Sequence, residues 1–513
     1  MQQPDLSENE IEAILAEAED YQIAKGSLLK LPRSISDLDS PVAFARPIGV
    51  SLRPTPFPRE HFTTALAIQE VYNELYMKIV EEQTWLEGIV VELAKTDVFA
   101  QKLWSIWEGI KSEGEVQPLH CGIFRSDYML HKNDSAITEN TPCIADEAAL
   151  KQVEFNTFSC AGAAHANIVA DMYRYLTGKG LFERSGLQPT QLPRNHCVKS
   201  IVRFLEKAHR AYCERKTNAK LAVILMTVQP NNVNICDERP IEYGLSECYP
   251  PVTLYRVEFS NEVMQRCSLG PHRELLFQPA SGVDPVEVSV VYQRAGYDSD
   301  EYNNQGINTR YMLERSRAIK CPPLLSHLSG FKKVQQELTK DGVLEQFVTP
   351  EKAALLRNTF MSIYPLDESK NGQFARELIR DKVKSEKYIL KPSLEGGGHN
   401  VYGDDIPIFL DSMLPQEWSR FILMEKIIPP SIRGILVSSL LRHQGPVISE
   451  LGVVGTCLWE QGSVDAGPEI LENEVAGWTF KTKPADVDEI SVIKGYGCFD
   501  CPLLDHSAED MVA

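Results

Sequence analysis

Two hydrophobic periods divide the chain. "HFTTALAIQEVYNELYMKIVEE" (61–82) and "SIVRFLEKAHRAYCERK" (200–216) carry apolar residues three and four apart, the spacing that lays one apolar stripe along a helix. "LAVILM" (221–226), "VEVSVVY" (286–292), "YILK" (388–391), "RFILMEKI" (420–427) and "VISELGVV" (447–454) are short apolar runs rich in β-branched residues and predict strands. "QVEFNTFS" (152–159) alternates apolar and polar residues as a half-buried strand does. A strand near 221, helices after it and a strand ending near 292 predict an α/β unit, and the later, loop-separated strands belong to a different sheet.

Composition narrows the class. A chain of 513 residues has room for about two to four domains and a large core. Its 43% apolar and 24% charged residues are those of an ordinary globular protein. A net charge of −19 argues against non-specific nucleic-acid binding, which needs a basic face. The first 20 residues are acidic and lack the apolar run of a secretion signal, and no stretch reaches membrane-spanning length. A cytoplasmic protein without membrane or nucleic-acid partners is expected. The 12 cysteines are scattered, as reduced thiols would be. The one close pair, Cys498-Phe-Asp-Cys501, is expected to be plain packed or surface thiols rather than a zinc or redox site.

Chemistry enters at "KPSLEGGGHNVYG" (391–403). Lys391 ends an apolar strand and is expected to point out of a sheet edge, and three consecutive glycines follow. Free N–H groups in such a turn can surround phosphate oxygens, and glycine lets the backbone come close. The Gly-Lys-Ser/Thr of a P-loop is missing, as is a dinucleotide fingerprint. A flexible hairpin tip is the competing reading. On "QVEFNTFS", Glu154 and Asn156 stand two apart and share a face. A carboxylate and an amide oxygen so placed suit Mg²⁺, although a solvated strand face would look the same.

Six motifs in order, "RSDYM" (125–129), "EFNT" (154–157), "KKVQQEL" (332–338), "KPSLEGGGHNVYG", "LMEKI" (423–427) and "SELG" (449–452), resemble those of eukaryotic glutathione synthetase over nearly the whole chain. The resemblance implies an α/β ATP-grasp fold, with a smaller α/β substrate domain inserted and a Gly-rich lid. The catalytic body would comprise residues 1–217 and 330–513, with the lid at about 365–446 and the substrate domain at 218–329. It also implies roles. Arg125, Lys391 and Lys332 would serve catalysis. Met129, Lys332, Lys391, Gly397, Gly398, Asn400, Tyr402, Met424, Glu425, Lys426, Ile427, Glu450 and Lys483 would contact ATP. Glu154, Asn156 and Glu395 would hold Mg²⁺. Arg125, Ser159, Asn234, Glu238, Arg294, Tyr297, Lys481, Val492 and Ile493 would line the substrate site. A homodimer is expected.

The substrate side departs from the family pattern. Glu238 stands where the family has glutamine, Asn232 where it has glutamate, Ala161 for a serine and Lys481 for an arginine. The alanine-rich loop that encloses glycine in the family is here "DEISVIKGYG" (488–497), with Ile490, Val492 and Ile493 in place of small residues. The implied activity is an ATP-dependent carboxylate–amine ligase acting through an acyl phosphate, which needs charge neutralisation and no Ser, Cys or His nucleophile. The acid would be γ-glutamylcysteine or a relative, and the amine glycine or another. The alternative is a divergent member that no longer makes glutathione, either a ligase for other substrates or a non-catalytic protein that binds ATP or a thiol peptide.

Overall fold

A computed structural model describes residues 6–31, 43–132, 148–215, 222–393, 398–440, 442–463 and 466–505. The predicted elements form. The helix Arg59–Glu81 turns Phe62, Ala65, Ile68, Tyr72, Leu75 and Tyr76 inward at three- and four-residue steps. The helix Cys197–Glu214 does the same with Ile201, Phe204, Leu205, Ala208 and Tyr212.

The fold is mixed α/β, with three main sheets. The largest runs Ile432–Val437, Val50–Ser51, Cys498–Phe499, Glu469–Pro484, Arg442–Glu460, Leu119–Lys132 and Ala148–Asn156. The run predicted at 447–454 is the centre of its 19-residue strand Arg442–Glu460. A second, six-stranded sheet is built from residues 254 to 321 around the fully buried strand Ala222–Val228, which pairs in parallel with Leu254–Glu258 and Val286–Gln293. Burial on both faces explains its unbroken apolar run. The third sheet has the order Ile363–Pro365, Phe421–Glu425, Tyr388–Pro392, Val401–Tyr402.

Lys391 departs from its expected place at a sheet edge. Its strand lies between Phe421–Glu425 and Val401–Tyr402, and Lys391 pairs with Ile422. The side chain is 4% exposed and turned inward. The pair Cys498 and Cys501 is buried, and each thiol donates to a carbonyl, of Val437 and Pro502. These are packed thiols, as expected. No helix among the described residues is long and apolar enough to cross a membrane.

Strand alternation aims the chemistry. On Ala148–Asn156, Phe155 points into the core and stacks on Tyr76 with ring centroids 3.9 Å apart. Such a pair adds about 0.5–1.5 kcal/mol beyond its buried area. Its neighbours Glu154 and Asn156 therefore face the other way, into a cavity of about 730 Å³ where the ends of the three sheets meet.

Candidate active site

One strand and its bulged partner make the cavity floor. Arg125 and Asp127, two apart on Leu119–Lys132, share its inner face. Arg125 Nε and Nη2 donate to Asp127 Oδ1 and Oδ2 at 2.6 and 2.8 Å, and Asn156 Nδ2 donates to Oδ2 at 2.9 Å. The crossing strand makes room with Gly452. A Cβ there would lie 2.4 Å from Thr479 Oγ1 and 2.6 Å from Asp127 Oδ1. Where this floor pairs with Ala148–Asn156 the register slips, since Asp127 faces Glu154 but Tyr128 faces Gln152. Val153 is the extra residue of that bulge, so its carbonyl falls outside the ladder. Lys391 Nζ donates to it at 3.2 Å, tying the four-stranded sheet to the largest one.

Two lysines then meet one carboxylate. Lys332, the first residue of the helix Lys332–Leu338, places Nζ 3.2 Å from Glu154 Oε2. Burial opposes the Glu154 charge, but Lys332 and then Lys391 outweigh it and hold the carboxyl at about 2. Burial lowers the Lys391 ammonium to about 8. This end of the cavity is thus a buried cluster of two cations and one anion, suited to receiving further negative charge.

The structure gathers the other expected residues around the same space. Met129, Asn400, Tyr402, Met424, Glu425, Lys426, Ile427, Glu450 and Lys483 line it beside the lysines. The backbone N–H groups of Glu425 and Lys426 are already given to the carbonyls of Ser362 and Lys387, at 2.9 and 2.8 Å. Ser159, Asn234, Glu238, Arg294, Tyr297, Lys481, Val492 and Ile493 line the remainder. Glu395 and Gly397 lie outside the described residues, while Gly398 is described, with φ +89°.

Several of these side chains are committed to one another. Glu450 and Lys481 are direct cross-strand partners, 2.6 Å apart. Burial raises the Glu450 carboxyl although Lys481 opposes it. Arg294 is 5% exposed and held by Asp237 at 2.9 Å. Asp237 also takes the backbone N–H groups of Gly162 and Ala164. Ser159 donates to the Arg294 carbonyl at 3.1 Å. Glu238 is gripped by Arg256 at 2.7 Å and by Asn232 at 2.7 Å. The two positions that exchange a carboxylate and an amide relative to the family are therefore in contact with each other.

On the bulky loop the three aliphatic residues divide. Val492 is 8% exposed and packs into the main core, with Ile490 partly buried against the same core. Ile493 stays 42% exposed on the cavity wall.

Sequence reasoning missed Asp127, Asp237, Arg256 and Glu489. Asp127 had a readable signal, its i+2 spacing from Arg125 on a strand. The other three have partners 18 to 91 residues away, which no local pattern shows.

For a divalent cation, the described donors are Glu154 and Asn156. Asn156 spends its amide nitrogen on Asp127, which turns its oxygen away from that contact, on the cavity-lining side chain. That donor set fits Mg²⁺. Among the described residues no group of three or more His, Cys, Asp or Glu stands ready to hold a metal.

A buried cluster of two lysines and a carboxylate and a buried arginine thus share one cavity, and the comparisons with known proteins make the chain an ATP-dependent C–N ligase. The family model for eukaryotic glutathione synthase, ATP binding domain, matches residues 8–504. The chain belongs to the eukaryotic glutathione synthetase family. It is 32% identical to glutathione synthetase of Mus musculus, covering 96% of this chain and 97% of that one. It is 31% identical to the enzyme of Dictyostelium discoideum, over 95% and 97%. It is also 31% identical to the glutathione synthetase large chain of Schizosaccharomyces pombe, over 88% and 90%. In overall fold it matches a glutathione synthetase-like effector from Globodera pallida, in apo form, with a TM-score of 0.73 over 98% of both chains at 20% identity.

Proposed function

We propose that the chain is an ATP-grasp ligase that joins γ-glutamylcysteine, or a closely related acid, to a small amine through an acyl phosphate. The observation that carries this is the pairing of Lys332 and Lys391 around Glu154 in the cavity that Arg294 also lines. In this reading the catalytic body comprises 1–217 and 330–513, with the lid within about 365–446, and 218–329 is the inserted substrate domain. Lys332, Lys391 and Lys483 attract the triphosphate, and Glu450 contacts the nucleotide. Met129 and residues 424–427 receive the adenine. The N–H groups of Glu425 and Lys426 being taken, recognition there falls to carbonyls and to Ile427.

Glu154, Asn156 and Glu395 would hold Mg²⁺, which when bound neutralises phosphate charge. Arg125, fixed by Asp127, faces the carboxylate that accepts the phosphoryl group. Gly397, Gly398, Asn400 and Tyr402 close over the site and exclude the water that would hydrolyse an acyl phosphate. The amine then attacks the carbonyl carbon and phosphate leaves. Ser159, Asn234, Glu238, Arg294 and Tyr297 orient the amino-acid end of the acid, and Lys481, Val492 and Ile493 border the amine. Cysteines scattered through the described residues, many of them buried, suit a reducing, cytoplasmic setting, and a homodimer is part of the same reading.

The test is ADP release with γ-glutamylcysteine, ATP and a panel of amines, with products identified by mass spectrometry. Amide product from that acid supports the reading. No ADP above background with any pair of acid and amine would refute it.

A further inference from the structure

A buried histidine that the reading above does not use stands behind the acid end of the cavity. His165 is the third residue of the helix Ala163–Gly178 and is 1% exposed. Its Nδ1 lies 3.2 Å from Ser27 Oγ, and its Nε2 lies 3.1 Å from Asn234 Oδ1. The ring is neutral, because burial lowers its pKa against the pull of nearby Asp237, and the start of a helix opposes a further positive charge. An amide oxygen can only accept, so the single ring proton sits on Nε2 and is donated to Asn234, while Nδ1 accepts the hydroxyl of Ser27.

These bonds decide what Asn234 shows to the cavity that it lines. With Oδ1 given to His165, the amide has Nδ2 left to offer there. The backbone around it is held as well. The Asn234 N–H donates to Asn232 Oδ1 at 2.8 Å, and Asn232 Nδ2 donates to Glu238 Oε2 at 2.7 Å. The Lys30 N–H donates to the Val233 carbonyl at 3.0 Å, so the segment that carries Ser27 also braces the loop that carries Asn234. An amide nitrogen has hydrogens to donate and nothing to accept with. The group that meets it must present an acceptor oxygen, and the Arg294 guanidinium on the same cavity wall favours the same chemistry.

We propose that His165 is a positioning residue that locks the Asn234 amide with its nitrogen toward the acid, so that this site takes the head carboxylate of an amino-acid substrate and refuses its ammonium group. The inference rests on the ligase reading and deepens it. An amide free to turn over would offer oxygen or nitrogen alike and would accept the head group either way round. A γ-glutamyl acid has one carboxylate at its head and another that reacts, and a donor fixed at the head keeps the two from exchanging places.

The test compares His165→Leu and His165→Gln in the full chain, by calorimetric binding and by ADP release. The probes are γ-glutamylcysteine, 4-aminobutyrylcysteine, which lacks only the head carboxylate, and glutarylcysteine, which lacks only the head ammonium. In His165→Leu the Kd for γ-glutamylcysteine should rise about tenfold, the scale of one hydrogen bond to a charged group, with kcat and the KM for ATP near wild type. The peptide without the head carboxylate should bind wild type and variant nearly alike, so the preference for the carboxylate should shrink by the same factor. His165→Gln, whose amide nitrogen can again donate to Asn234 Oδ1, should restore most of that preference. Should His165→Leu fail to fold, Ser27→Ala, which frees the ring to change tautomer, should lower the same preference, and an unchanged preference there would overturn the proposal. An equal loss for all three peptides would show that the ring only fills space. A loss that spares glutarylcysteine alone would set Asn234 against the ammonium. Either result would overturn the proposal. If the wild type neither binds nor turns over γ-glutamylcysteine, the ligase reading fails and takes the inference with it. If it does both and His165→Leu matches it, only the inference fails.

Discussion

Arg125 and Asp127, two residues apart on one strand, are joined by two parallel hydrogen bonds of 2.6 and 2.8 Å, and the same carboxylate holds Asn156. Asp127 is 2% exposed, so a single buried side chain fixes both the arginine expected to face the reacting carboxylate and one expected metal ligand. Removing it leaves a guanidinium without its partner, a loss that typically costs about 3–5 kcal/mol. Asp127→Ala should lose stability on that scale in urea unfolding and lose nearly all ADP release. The double variant Arg125→Met/Asp127→Ala should be more stable than Asp127→Ala alone, because no charge is then left unpaired. Equal stability of the two would show that the pair does not hold the floor together.

Gly452 tests the same floor from the opposite strand. The methyl group of Gly452→Ala would fall 2.6 Å from Asp127 Oδ1 and 2.4 Å from Thr479 Oγ1. Both are side-chain atoms, but Asp127 Oδ1 can give way only by disturbing its bond to Arg125, and overpacking of this kind costs about 1–3 kcal/mol. Turnover should fall more than stability does, since Asp127 must shift. An alanine variant with wild-type turnover would show that the position of Asp127 is not critical.

Much of this arrangement was legible in the sequence. The alternation of "QVEFNTFS" already placed Phe155 opposite Glu154 and Asn156, and the periodicity of 61–82 supplied the helix whose Tyr76 packs on Phe155. The motif order gave the family and most of the cavity lining. What it could not give were pairings between distant residues. The sequence places Lys391 at a sheet edge, because nothing local announces that Val401–Tyr402 returns to cover its strand. The sequence assigns Glu450 and Lys481 to different ligands, because their direct pairing depends on the register of two long strands. Nothing around Glu489 in the sequence marks it, because its donors, at Gly398, Asn400 and Tyr402, are 87 to 91 residues away.

The pH dependence of ATP use should follow Lys391. Burial is the main cause of its lowered pKa, with Glu154 opposing and Lys332 adding to the shift, and the ammonium is left at about 8. Below pH 8 the charged form predominates and can attract the triphosphate. Above it the neutral form dominates in the free protein, so kcat/KM for ATP should fall up to roughly tenfold per pH unit. Stability runs the other way. The folded pKa lies below the ordinary 10.5, so burying the charged form costs stability below pH 8, and that cost fades between pH 8 and 10.5. Lys391→Arg stays charged throughout and should flatten the fall in kcat/KM, even at a lower absolute rate. A fall of the same steepness in the arginine variant would assign the titration to another group.

The amine preference should turn on Ile493 more than on Val492. Both stand on the loop that in the family is alanine-rich, but the structure gives them different work. Val492 packs into the core at 8% exposure and also lines the cavity, so Val492→Ala should cost stability, about 1–3 kcal/mol for a truncated core residue, and should shift the choice of amine less than Ile493→Ala does. Ile493 is 42% exposed on the cavity wall and is free to meet the acceptor. Lys481, the nearby cation, is already paired with Glu450 at 2.6 Å and offers a point charge rather than the planar fork of an arginine. Recognition of an acceptor carboxylate is weakened on that side, and apolar contact on the other side discriminates a methylene by only about 1–3 kcal/mol. Selectivity for glycine should therefore be weak. In a competition among glycine, alanine, β-alanine, serine and simple amines at saturating ATP and γ-glutamylcysteine, a second acceptor should compete, or glycine should turn over poorly. Ile493→Ala should shift the ratio between acceptors about tenfold while leaving the melting temperature near wild type. Fast and exclusive use of glycine by the wild type would restore strict glutathione synthesis, and an unchanged ratio in Ile493→Ala would remove Ile493 from the acceptor site.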